Sequence, residues 1–250
     1  MVTSFLLEIG EISYFAGRFF KDFLKPPYEF KELLHQCYNV GNRSLFLVGI
    51  TGFIIGLVFT LQSRPTLMQF GAVSWMPSMV SISIIREIGP IIAALICAGK
   101  IGSGIGAEIG SMRVTEQIDA MEVSGTNPFK FLVITRIVAT TLMLPLLVIF
   151  GDFMALIGSS LVQNLKDNTT FLLYFNLVFN SLKFSDIVPA TIKTFFFGFA
   201  IGLIGCYKGY YCKRGTAGVG KAANAAVVYT SVLIFIIDFI AVFVTNIFYD

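Results

Sequence analysis

The chain has 250 residues, of which 56% are hydrophobic and 13% charged, with a mean hydropathy of +0.80. A soluble domain carries about a quarter charged residues, so this surface has too few polar groups to cover a water-soluble globule. The net charge of +3 comes from basic residues scattered between apolar runs. That excludes a nucleic-acid stripe and points to an all-α, polytopic membrane protein.

In chain order, the opening MVTSFLLEIGEISYF has no basic n-region and carries Glu8 and Glu11, so it does not read as a cleaved signal peptide. Phe5, Ile9, Ile12, Ala16, Phe19 and Phe23 recur at helical spacing, with Glu8, Glu11, Arg18, Lys21 and Asp22 on other faces. This predicts an amphipathic helix in the interface plane or packed on protein, and both can hold together. Pro26–Pro27 breaks it, and Phe30–Tyr38 is expected to resume it. Residues 1–43 thus form an interfacial elbow, and residues 44–250 a transmembrane region.

A membrane helix needs about 20 mostly apolar residues. Ser44–Gln62, Ile137–Val162, Ile187–Tyr207 and Ala222–Phe248 qualify. A less tidy span begins after Trp75 and ends between Lys100 and Met112, interrupted by Arg86 and Glu87. Five spans place residues 1–43, 99–136 and 207–224 on one side, with thirteen Lys/Arg against three on the other. The positive-inside rule then puts the N-terminus in the cytoplasm. On the outer side, Phe171–Leu182 reads as a short helix grazing the membrane.

Three features invite function. Ala98, Gly102, Gly106 and Gly110 fall four apart on one helical face, and Gly52/Gly56 and Gly198/Gly202 repeat the pattern. Small residues let helix backbones approach closely in lipid, so the ladder predicts a tight bundle or a dimer seam. The second feature is a short acidic helix near 114–124, with Thr115 as N-cap and Gly125, Asn127 and Pro128 ending it. Thr115, Glu116, Gln117, Asp119 and Glu122 would face a partner's groove, or simply solvent. The third is charge inside apolar spans: Arg86, Glu87, Asp152, Lys193 and Asp238. Each is costly in hydrocarbon and should face protein or a water-filled cavity. They either neutralise one another to fix packing or form a polar pocket for a substrate head group.

Several chemistries drop out. Gly102–Ala107 fits GxGxxA but lacks the strand before it and the acidic residue after it. Cys37, Cys97, Cys206 and Cys212 show no metal or redox spacing, and His35 is the only histidine. No catalytic residue, cofactor or metal site is expected. An ion-coupled carrier using the buried carboxylates remains an alternative to a transporter driven by a partner.

Arg86-Glu87-Ile88-Gly89-Pro90, then Ala98-Gly99-Lys100-Ile101-Gly102-Ser103, then Ala107-Glu108-Ile109-Gly110 and Met112–Glu122 with its TEQIDAME core resemble the MlaE/YrbE permease family. The dense match covers about residues 86–152, and Lys100 stands where the family usually has Arg. The resemblance implies the membrane subunit of an ABC-type lipid transporter of the bacterial inner membrane. Such a permease is a homodimer that handles lipid, in diderm bacteria phospholipid, and so maintains outer-membrane lipid asymmetry. It implies ATPase subunits docked on the helix at Thr115–Val123, an MCE-domain protein on the outer face, and a small STAS-type accessory protein as a further partner.

Overall fold

The computed structural model describes the backbone except at Met1, Pro27, Arg214 and Asp250, and side chains except those of residues 1–6, 27, 214 and 248–250. Phe5, the second proline of the 26–27 break, and Arg214 of the charge count therefore lie outside the described residues. Among the described residues eight helices follow in order: α1 (Val2–Phe23), α2 (Phe30–Gln69), α3 (Val73–Val114), α4 (Gln117–Val123), α5 (Phe129–Asp167), α6 (Phe171–Ser181), α7 (Phe184–Tyr210) and α8 (Thr216–Tyr249). α2, α3, α5, α7 and α8 are long and apolar enough to cross a membrane.

Most spans outrun the apolar runs that announce them. α2 has 40 residues, about 60 Å at ~1.5 Å per residue, twice a hydrocarbon core of about 30 Å. Phe30–Tyr38 therefore forms one continuous helix with the apolar run that follows, and a helix of this length extends beyond the hydrocarbon core. Its buried face explains the continuity: Gln36, Val40, Ser44, Val48, Gly52, Gly56 and Thr60 are all buried at spacing four. That row seats against α5. A Cβ at Gly56 would collide with the Ala155 carbonyl, and one at Gly158 with the Phe53 carbonyl.

α3 is continuous but not uniform, with π turns at Ile84–Ile88 and Ala98–Gly102. At the first, the Gly89 amide donates to the Ile84 carbonyl five residues back. Pro90 follows and has no N–H to give, which favours the wider turn there.

The glycine ladder packs within the chain. A Cβ on Gly205 of α7 would lie 3.1 Å from the Gly102 carbonyl oxygen, and one on Gly209 would lie 3.0 Å from that of Gly106. From the other side, a Cβ on Gly106 would come 3.4 Å from Ala223 of α8, and one on Gly110 would come 3.4 Å from Cys212 Sγ. α8 itself buries one narrow stripe, Ala222, Ala226, Thr230, Ile234 and Asp238, again at spacing four. Phe235, Phe239 and Phe243 stay exposed.

α1 lies on this bundle. Phe15 and Phe19 are buried, Phe15 edge-on to Phe129 and Tyr207. Tyr207 donates to Glu11 (2.7 Å), Tyr229 donates to Glu8 (2.6 Å), and Lys208 pairs with Glu8. The buried face keeps part of the expected stripe, with Phe19 buried and Ile12 and Ala16 packed against the core, and adds Phe15, while donors from the end of α7 and from Tyr229 of α8 hold Glu8 and Glu11. Ile9 and Phe23 are exposed with Leu7, Tyr14 and Phe20. α6 does more than graze the surface: Tyr174 and Val178 are fully buried. The end of the bundle carrying α6 is closed by Arg64, whose Nη2 donates to Asp167 at 2.7 Å.

Candidate functional site

Lys193 sits on α7 a little over two turns from its start, with a side chain only 4% exposed. An ammonium in such a place must be paired. Its Nζ donates to Glu87 Oε2 at 2.7 Å and to Asp238 Oδ1 at 2.9 Å. One helix supplies each member: the π turn of α3 carries Glu87, and the buried stripe of α8 ends on Asp238. Two carboxylates on one ammonium leave this triad one negative charge in excess when all three are ionised.

Arg86 is adjacent in sequence but does not join the triad. Its Nη1 lies 3.7 Å from Asp186 Oδ1. Asp186 is absent from the charges singled out by sequence, because it lies in the first turn of α7. There its Oδ2 accepts from the Lys183 amide at 3.0 Å. The spacing of 186 to 193 is two helical turns on one face, and that signal was available. Asp152 is likewise apart. Its Oδ1 is buried against Gly89 and has no hydrogen-bond partner among the described residues.

α7 separates two clefts. One, about 750 Å³, is walled by Val188, Ile192 and Phe196 of α7 and Ile237, Ile240 and Val244 of α8, with Lys193 in its lining. A small polar recess adjoins it, lined by Arg86, Glu87, Ser185, Asp186 and Asn246. The other, about 620 Å³, lies across α7 and is lined by Asp152. The first combines long apolar walls with a polar centre, the pattern of a site for an amphiphile.

At the opposite end, α4 is shorter than the helix expected from residue 115. Glu116 is its N-cap, in the left-handed region at φ 59°. Thr115 does not cap it; its hydroxyl donates back to the Ser111 carbonyl at 2.9 Å and finishes α3. Ile118 is fully buried and anchors the helix, while Thr115, Glu116, Gln117, Asp119 and Glu122 are all exposed. Asp119 accepts from Arg113 at 2.5 Å, and Val123 is 90% exposed. Asn127 ends the loop by accepting the Phe129 amide at 3.1 Å, which starts α5.

A buried charge was missed nearby. Arg136, counted among the loop cations by sequence, has a side chain 3% exposed inside α5 and donates to Glu108 at 2.9 Å and to the Leu132 carbonyl at 3.0 Å. Its π turn, Phe129–Ile134, extends α5 ahead of the apolar run and carries Arg136 inward. Lys100 reaches across to the Arg43 carbonyl, tying α3 to α2. The four cysteines are unpaired.

Known proteins are similar to this chain in sequence. Residues 33–244 match the family described as Permease MlaE. A probable ABC transporter permease protein of Rickettsia felis is 37% identical over 236 residues, covering 94% of this chain and 91% of the relative. A probable ABC transporter permease protein of Synechocystis is 33% identical, covering 90% and 86%. The intermembrane phospholipid transport system permease protein MlaE of Haemophilus influenzae is 32% identical, covering 84% and 81%. With the family match spanning the helical bundle and these relatives covering nearly its whole length, the chain belongs to the MlaE permease family.

Proposed function

We propose that this chain is the membrane-spanning subunit of an ABC-type phospholipid transporter, energised by separate ATPase subunits. The observation that carries the reading is the Lys193 triad opening on an apolar cleft: lipid tails lie along α7 and α8, and the head group is received at Glu87, Lys193, Asp238 and Arg86. The name of the Haemophilus relative supports phospholipid as cargo. Membership of a permease family disfavours the ion-coupled carrier.

The excess of Lys/Arg at the α4 end supports an orientation in the bacterial inner membrane with the N-terminus and α4 on the cytoplasmic side. α4 is then the coupling helix. Its exposed Gln117, Asp119 and Glu122 and the apolar tip Val123 dock into the ATPase, and Ile118 carries the movement into the core. A second copy of the chain covers the apolar face of α8. An MCE-domain protein receives lipid at the α6 end, with a small STAS-type protein on the cytoplasmic side. The assembly serves outer-membrane lipid asymmetry.

The test is co-reconstitution with the ATPase in vesicles. Asp119→Lys should insert normally yet lose stimulation of ATP hydrolysis and lipid transfer. Normal transfer by that variant would remove the coupling role.

A further inference from the structure

Lys193 has two carboxylate partners, and they are not equivalent. The Asp238 side chain is 13% exposed and lines neither the cleft between α7 and α8 nor the recess beside it. The Glu87 side chain is 41% exposed and forms part of the recess wall. It stands on the first π turn of α3, a helix irregularity that occurs often at functional sites.

The space around the lysine adds a second condition. The recess measures about 20 Å³, room for about one water and too little for a phosphate group. An ammonium has three protons, and two are already given to Glu87 and Asp238. With the lysine side chain only 4% exposed, an oxygen arriving from the cleft reaches the ammonium by taking a carboxylate's place. Glu87 is the partner that can leave without opening the core. Arg86, beside it, lies 3.7 Å from Asp186, longer than a hydrogen bond, and is placed to give the newcomer a further donor.

We propose that Glu87 is the exchangeable partner of Lys193: the phosphate of an incoming phospholipid replaces it on the ammonium, while Asp238 stays and keeps the lysine in position. Phosphate oxygens accept charge-assisted hydrogen bonds from Lys and Arg as carboxylate oxygens do. The lysine is then paired whether the site is empty or filled, and the cost of a lone buried cation is avoided. Glu87 competes with the head group and so sets how tightly it is held. The inference rests on the head-group site of the proposed function and adds opposite roles for its two carboxylates.

The experiment uses the full chain in micelles of an uncharged detergent. Binding of phosphatidylglycerol, and of diacylglycerol with the same chains, is measured by competition against a fluorescent phosphatidylglycerol. Wild type should bind the phospholipid more tightly than the diacylglycerol. Glu87→Gln should tighten the phospholipid at least about ten-fold, the size of one charged hydrogen bond, and leave the diacylglycerol unchanged. Glu87→Met, which offers no donor of its own, should act in the same direction. Asp238→Asn should not tighten it, because Glu87 remains on the lysine. Inorganic phosphate in excess should leave the phospholipid bound, since it lacks the chains that the cleft holds.

Equal tightening by Glu87→Gln and Asp238→Asn would mean that net charge alone matters and would overturn the exchange. Displacement by inorganic phosphate would assign the site to a free anion instead of a lipid. If Asp238→Asn fails to insert, the two Glu87 variants against the two lipids still decide. If both lipids bind alike in wild type and in every variant, the head-group reading of the triad fails. If the phospholipid is preferred but neither Glu87 variant tightens it, the exchange alone fails.

Discussion

Lys193 and Asp119 make contacts of similar length and very different consequence. Lys193 lies 2.7 and 2.9 Å from two carboxylates inside the bundle, and Asp119 lies 2.5 Å from Arg113 at an exposed turn. Water screens the second pair, and exposed ion pairs contribute about 0–1 kcal/mol. Removing one partner of a buried pair leaves an uncompensated charge and costs about 3–5 kcal/mol. The same kind of contact is therefore part of the framework in one place and a detachable surface feature in the other. Substitutions in the two regions should separate stability from function differently.

The largest effect is expected at the triad. Lys193→Ala leaves Glu87 and Asp238 facing each other and should destabilise the bundle by about 3–5 kcal/mol, read as a lowered unfolding midpoint in detergent. The triple change Lys193→Met, Glu87→Gln, Asp238→Asn removes all three charges and should recover most of that loss. Equal instability of the single and triple variants would mean that shape, not charge, holds the triad.

Next comes the seam of α2 and α5. Gly56→Val puts atoms into the Ala155 carbonyl and should cost about 1–3 kcal/mol by overpacking. The same change at Gly99, with nothing near its Cβ position, should cost much less. A larger loss at Gly99 would contradict the packing assigned to α2 and α5.

At α4, Asp119→Ala should change stability by no more than about 1 kcal/mol while abolishing ATPase stimulation. A drop in stability comparable to that of Lys193→Ala would make α4 structural.

The smallest effect concerns α1. Burial raises the pKa of Glu8, but hydrogen bonds from Lys208 and Tyr229 and the Lys208 charge outweigh it and hold the carboxyl below its ordinary value. A depressed pKa contributes stability that is present above the ordinary carboxylate value of about 4.3 and is lost as pH falls through the folded value. A spin label at Leu7→Cys, in a background with the native cysteines replaced, should gain mobility only below about pH 4. Mobility rising near neutral pH would assign the attachment to other groups.

Much of the architecture is legible because lipid leaves few choices. Runs of about 20 apolar residues have one fate, and the four-residue spacing of Gly102, Gly106 and Gly110 survives into the packing against α7 and α8. What escapes the sequence is pairing across helices. Arg136 looks like a loop cation because nothing local reveals Glu108, 28 residues earlier in the chain. Asp152 shares its residue type with Asp238, yet its Oδ1 packs against Gly89 and does not pair with Lys193. Glu8 and Glu11 of α1 are held by tyrosines and a lysine about 200 residues away. Thr115 shows the limit of local rules as well, since its hydroxyl closes the helix before it rather than opening the one after.

The most direct test is ATP-driven lipid transfer by the charge-neutral triple variant, co-reconstituted with the ATPase and compared with wild type at equal insertion. A head group received at the triad predicts that the triple variant is stable and still stimulates ATP hydrolysis, yet transfers lipid at least about ten-fold more slowly, the loss of one charged hydrogen bond. Transfer at the wild-type rate would contradict it and leave the triad as a packing device.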